Sequence, residues 1–249
     1  MRMHRRRVYI RIALWIFIAL AIFVGAIYLL FVANVFAVTS VEIVGASPTQ
    51  SDAIRVSIDE LLSERSFQIL HPKRNILLLD TGALSAYTRS KFPGLEQVRV
   101  IKQYPHAIRI DVVERVVMGT WCRGEVCTYY DAKGAQWGSA VVSRGPLLLL
   151  VTDERSEASD ITPIVQAVDV VRRRLIALGL RVLEVTLPDA APGDLIISVN
   201  ALYVLKLNMN MDVSEQLETF GILLAEKAKE ASWATSYVDL RTPGRVYYK

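Results

Sequence analysis

The sequence predicts an α+β protein held by one membrane span, and three observations carry that reading. An arginine-rich start is followed by twenty-two uncharged residues, Ile12 to Ala33. Residues 39–114 then read as strand, helix, helix, strand, strand. Beyond Arg115 the pattern changes to short strands with glycine turns, interrupted by two helices, which predicts a mixed, mostly antiparallel β domain.

The apolar run is the first element. A helix rises about 1.5 Å per residue, so the run covers a hydrocarbon core of roughly 30 Å. Tyr9 and Trp15 stand near its start, where aromatic rings favour the headgroup level. Arg2, Arg5, Arg6, Arg7 and Arg11 precede it and no comparable cluster follows. That bias predicts an N-terminus in the cytoplasm and the bulk of the chain outside. Val35-Phe36-Ala37 offers small residues for cleavage, but the apolar stretch is longer than a signal peptide's core of about 7–15 residues, so an anchor is the better reading. Arg6-Arg7 resembles a twin-arginine signal, against which the same length counts.

Charge follows the same division. Five of the 29 basic residues precede the run and all 25 acids follow it, so the folded part is close to neutral. The basic tail suits an anionic inner leaflet, and nothing here supports nucleic-acid binding.

In the first folded stretch, Val41 and Ile43 alternate with polar neighbours and Gly45 closes the strand. Thr49 and Asp52 approximate a capping box before a helix whose face holds Ile54, Ile58, Leu61 and Leu62. Residues 63–75 read as a loop, and Thr81 to Phe92 as a second helix stopped by Pro93-Gly94. Leu95 to Gln103 and Ile108 to Val113 flank the Tyr104-Pro105-His106 turn as a hairpin. An antiparallel sheet with both helices on one face is expected.

In the second stretch, strands are predicted over 116–122, 126–131, 147–152, 181–187, 194–199, 202–207 and 235–240, with a short one over 245–248. One helix is expected with Thr162 as its cap and Pro163 at its first position, stopped by Gly179. Asp212 and Glu215 bracket the start of the other, whose face holds Val213, Leu217, Phe220, Leu224 and Ala228.

Catalytic patterns do not emerge. His4 lies in the basic tail, and His71 and His106 lie in a loop and a turn. No nucleophile elbow, phosphate-cradling loop or zinc-ligand spacing occurs, so no enzyme activity, metal or cofactor is expected. Cys122 and Cys127 flank a hairpin loop. In an oxidising exterior they can form a disulfide; the alternative is two buried free thiols.

The order of these pieces resembles the FtsQ family, called DivIB in some bacteria. The strings that carry the resemblance are Val38-Thr39-Ser40-Val41-Glu42-Ile43-Val44-Gly45, Phe92-Pro93-Gly94-Leu95-Glu96-Gln97-Val98-Arg99-Val100, Tyr104 to Ile110 with Glu114-Arg115, Tyr130-Asp131-Ala132-Lys133-Gly134, and Ser236 to Arg241. Between roughly 140 and 230 the match is one of pattern more than of letters. The resemblance implies a cytoplasmic tail over 1–11, a transmembrane helix over 12–37, a POTRA domain over 38–115 and an FtsQ/DivIB-type β domain over 116–249. It implies a non-catalytic division scaffold at the septum, binding FtsB/DivIC-like and FtsL-like proteins and through them the FtsW and FtsI synthases. In the family the partner adds a strand near the end of the β domain. The matching positions here are Tyr237, Asp239 and Arg241, with Arg245, Tyr247 and Tyr248 in the tail. An exposed strand edge binds through its backbone groups, and tyrosines anchor interfaces, though these residues also suit plain edge packing. Thr242-Pro243-Gly244 departs from the family, which often has an aromatic after the Asp-Leu-Arg string, and a proline breaks a ladder, which counts against a long continuous edge. The rival expectation is a POTRA-bearing factor for protein transport or envelope assembly. It is weakened by the single POTRA-like unit and the lack of barrel-like strands.

Overall fold

The structure, a computed structural model, describes residues 2–32, 34–63, 74–141, 148–157, 160–200, 202–229 and 235–249. The expected loop over 63–75, with His71, lies almost wholly outside the described residues. The chain divides into two compact units, Met1–Glu114 and Arg115–Lys249.

In the first unit, helix α1 (Arg2–Ile27) runs through the arginine-rich start and the apolar run together, then widens into an i→i+5 turn at Tyr28–Val32. Ile12–Leu30 has a mean hydropathy of 2.7, is unburied by the rest of the chain, and is long and apolar enough to cross a membrane. Then come β1 (Ser40–Val44), α2 (Pro48–Ser63), α3 (Thr81–Lys91), β2 (Leu95–Gln103) and β3 (Ala107–Glu114). The expected antiparallel sheet is corrected here: the order is β1-β3-β2, and β1 runs parallel to β3, from Ser40 opposite Ala107 to Val44 opposite Asp111. The path from β1 to β3 runs through two helices and β2, long enough to bring the chain back for a parallel pairing that a tight turn could not make. Ile54, Ile58, Leu62, Leu84, Val98, Ile108 and Ile110 close the core between helices and sheet.

Helix α2 begins at Pro48, and the Ser47 carbonyl accepts the Ser51 N–H. The expected capping pair, Thr49 and Asp52, therefore lies within the helix and not at its cap. Ser47 is tied instead to β3, its N–H donating to Glu114 Oε1 at 2.7 Å. Helix α3 is capped by Asp80, whose Oδ1 accepts from the Gly82 and Ala83 N–H groups. Gly45 passes so close to β3 that an added Cβ would lie 2.1 Å from the Val112 carbonyl oxygen, and its φ is +94°.

Among its described residues the second unit carries a nine-stranded sheet. Its strands are β4 (Gly119–Arg123), β5 (Val126–Tyr130), β6 (Gln136–Trp137), β7 (Leu149–Asp153), β8 (Val182–Leu187), β9 (Asp194–Val199), β10 (Tyr203–Asn208), β11 (Tyr237–Thr242) and β12 (Arg245–Tyr248). They lie in the order β12-β11-β10-β9-β8-β7-β4-β5-β6. Pairings are mostly antiparallel; β4–β7, β7–β8 and β10–β11 are parallel. Helix α4 (Thr162–Ala177) connects β7 to β8, and α5 (Val213–Lys227) connects β10 to β11. Both send apolar stripes, among them Val165, Val168, Leu175, Leu217 and Phe220, into one core with Val151, Val185, Leu205 and Val238.

Three details differ from expectation. Strand β4 starts at Gly119 rather than Val116, which is 75% exposed. Thr162 is the first residue of α4 and not its cap; Asp160 Oδ1 accepts from both its N–H and its hydroxyl. The two-residue β6 was too short to leave a periodic signal. Asp131 holds the turn before it, accepting from the Lys133 and Ala135 N–H groups and from Arg115, whose guanidinium lies 5.9 Å from the Trp137 ring centroid.

Candidate functional site

The predicted partner-binding residues converge at one end of the nine-stranded sheet. β11 and β12 form a hairpin around Pro243-Gly244, with Thr242 opposite Arg245, Asp239 opposite Tyr247 and Val238 opposite Tyr248. Proline suits the first turn position and Gly244, at φ +68°, the second. Pro243 therefore shapes the turn and lies outside both strands; the β11–β12 ladder shifts register once, between Asp239 and Thr242, and β12 is four residues long.

β11 lies between β10 and β12, so its backbone is engaged on both sides. β12 is the end strand, and among the described residues no strand pairs with its other side. The Lys249 N–H donates to the Tyr237 carbonyl. By the alternation of an antiparallel ladder, the Tyr247 backbone groups then face β11, and those of Val246 and Tyr248 face outward.

Side chains alternate across the hairpin. Val238 and Leu240 are buried on the helix-covered face, where Val246 packs against the same core. Tyr248 shares that face, with Lys227 Nζ of α5 at 5.3 Å from its ring centroid. Tyr237, Asp239 and Arg241 lie on the other face, as do Arg245 and Tyr247, both exposed.

Arg241 is bound within the chain. Its Nε and Nη2 donate to Asp239 at 2.9 and 2.6 Å, and its Nη1 donates to Asp194 of β9. The arginine hydrogen bond holds the Asp239 carboxyl below the usual carboxylate range, against the opposing effect of burial. Asp194 is buried and also accepts from Asn208 Nδ2 at 2.7 Å. Tyr237 carries Lys206 Nζ at 4.9 Å from its ring centroid. Asp194 and Lys206, both missed in the sequence, thus brace the platform under the edge. Their role needs the β9-β10-β11 neighbourhood, which no local pattern reveals.

Cys122 and Cys127 are far along the sheet from this edge. They stand directly opposite across β4 and β5 with their sulfurs bonded and Cα atoms 4.1 Å apart, packed with Leu150 and Ala140. Among the described residues no group of three His, Cys, Asp or Glu gathers as a metal site.

No curated protein matches the chain. Residues 36–115 match the family model of the POTRA domain, FtsQ-type, and so cover the β1-α2-α3-β2-β3 unit and the last residues before it. An FtsQ-type POTRA domain behind an N-terminal apolar helix is consistent with an FtsQ/DivIB family protein.

Proposed function

We propose that this protein is a non-catalytic, membrane-tethered scaffold of bacterial cell division whose β12 edge receives a strand from an FtsB/DivIC-like partner. FtsL-like proteins join through that partner, and the assembly connects to the FtsW and FtsI synthases at the septum. The N-terminus lies in the cytoplasm and both folded units outside. The FtsQ-type domain match supports the division role. The observation that carries the docking site is β12, an end strand with outward backbone groups at Val246 and Tyr248 and exposed Arg245 and Tyr247 beside them.

Deleting Thr242 to Lys249 is expected to abolish co-purification of the FtsB/DivIC-like partner from membranes while the POTRA unit stays folded. A narrower variant separates docking from folding. Tyr248→Pro removes an outward donor, whereas Arg241→Ala removes an internal brace. Tyr248→Pro should lose the partner with little change in melting temperature, and Arg241→Ala should lower the melting temperature of the second unit. Partner recovery undiminished by both Tyr248→Pro and the deletion refutes the site.

A further inference from the structure

The far end of the span is tied into the POTRA unit. Asn75 Nδ2 donates to the Leu30 carbonyl at 2.8 Å, and Leu30 closes the candidate span Ile12–Leu30, just before the apolar run itself ends at Ala33. Ala37 forms a β-bridge with Asn75, the Ile76 N–H donates to the Phe36 carbonyl, and the Val38 N–H donates to the Arg74 carbonyl. A helix end leaves carbonyls without partners, and next to hydrocarbon they have no water to turn to. Asn75 supplies one such partner, and in doing so brings its own turn to the level where the span leaves the bilayer.

That turn is compact. The Leu77 N–H donates to Asn75 Oδ1 at 2.9 Å, and the Leu78 and Leu79 N–H groups donate to the Asn75 carbonyl at 3.0 and 2.8 Å. Leu77 and Leu78 therefore lie within roughly 8 and 11 Å of Asn75, counted Cα to Cα, a reach comparable to the headgroup layer on one side of a bilayer. Ile76 and Leu79 are buried in the core, but Leu77 is 37% and Leu78 45% exposed. Cations flank the exposed pair: Arg74 is exposed, and Lys102 Nζ donates to the Leu77 carbonyl at 3.4 Å.

We propose that the Arg74–Leu79 turn is a second membrane contact. Leu77 and Leu78 enter the boundary between acyl chains and headgroups beside the span, and Arg74 and Lys102 stand at the level of the lipid phosphates. The occupant of this apolar pair is the lipid surface, because the bilayer that surrounds Ile12–Leu30 ends next to it. The POTRA unit is then held against the membrane and does not swing from its helix.

The inference rests on reading Ile12–Leu30 as a span, and the experiment tests the two separately. The full chain is reconstituted alone into vesicles of phosphatidylethanolamine and phosphatidylglycerol. An environment-sensitive fluorophore is attached to one introduced cysteine at a time: Ala19→Cys in the span, Leu78→Cys in the turn, and Val56→Cys, an exposed apolar position of α2 with no tie to the span. The expected result is a blue-shifted emission at positions 19 and 78, largely lost to lipid-borne nitroxide, and a label at 56 quenched only from the aqueous phase. If position 19 is quenched by lipid and position 78 behaves like 56, the membrane contact is overturned and the span stands. If position 19 is not quenched by lipid, both fall. Because no other protein is present, shielding at 78 by a partner chain cannot imitate the expected result.

Discussion

Asp153, at the end of β7, has no exposed side-chain surface and accepts from three residues: Arg123, Arg155 and the Trp121 indole. Burial alone would push its carboxyl up; the hydrogen bonds from Arg155 and Arg123 outweigh it and bring it down to about 2. The folded-state value lies below the unfolded one, so the stabilisation is complete above the usual carboxylate range, near pH 4, and is lost as the pH falls toward about 2. It amounts to about 2 kcal/mol at neutral pH. Arg123 is partly exposed, so solvent screens its share, and Arg155 carries more of the effect. Asp153→Asn should lower the unfolding free energy of the second unit by about 2–3 kcal/mol at pH 7, with the deficit shrinking toward pH 2. Denaturant titrations at several pH values, followed in the near-ultraviolet, check this; an equal deficit at pH 7 and pH 2.5 would contradict it.

Among the elements, the β1–α2 turn has the least room for change. A methyl group at position 45 meets the Val112 carbonyl oxygen and would be held at a φ of +94°. Gly45→Ala should therefore cost about 3 kcal/mol in the POTRA unit. Hydrogen exchange should quicken at β1 and β3 amides and stay unchanged in β7 to β10; slow exchange throughout would refute the clash. The same elements mark how far the sequence could be read. Helices and most strands were legible because their apolar residues repeat with the right period, as Ile54, Ile58 and Leu62 do in α2. Strand β2 starts at Leu95 as expected, although Leu95 and Val98 are both buried at an odd spacing because a bulge separates Leu95 from Gln97. Parallel pairing of β1 with β3 leaves no mark in either strand alone. Pro243 read locally as a ladder breaker, and only the hairpin partner Arg245 reveals it as a turn residue. The hairpin at the candidate site was legible as two strands, whereas the choice of which strand is outermost came from long-range order in the sheet.

At the scale of the whole molecule, the work is divided by position along the chain: an apolar helix, an FtsQ-type POTRA unit, and a β unit that carries the candidate edge. The ends of the large sheet are unequal. One end is β6, two residues long, with the Trp137 ring beneath Arg115; the other is β12, four residues long. Two residues offer too few backbone groups to hold an incoming strand. On the proposed docking, the described residues of the β unit offer one end strand of more than two residues, so strand addition there is expected to occur once. Mass measurement of the purified complex should show strand-donating partner saturating at one per chain, and two bound partners per chain would show that a second edge is open. On that docking, a platform of valence one counts its partners, and the amount of this protein in the membrane is expected to set an upper bound on the number of complexes assembled on it.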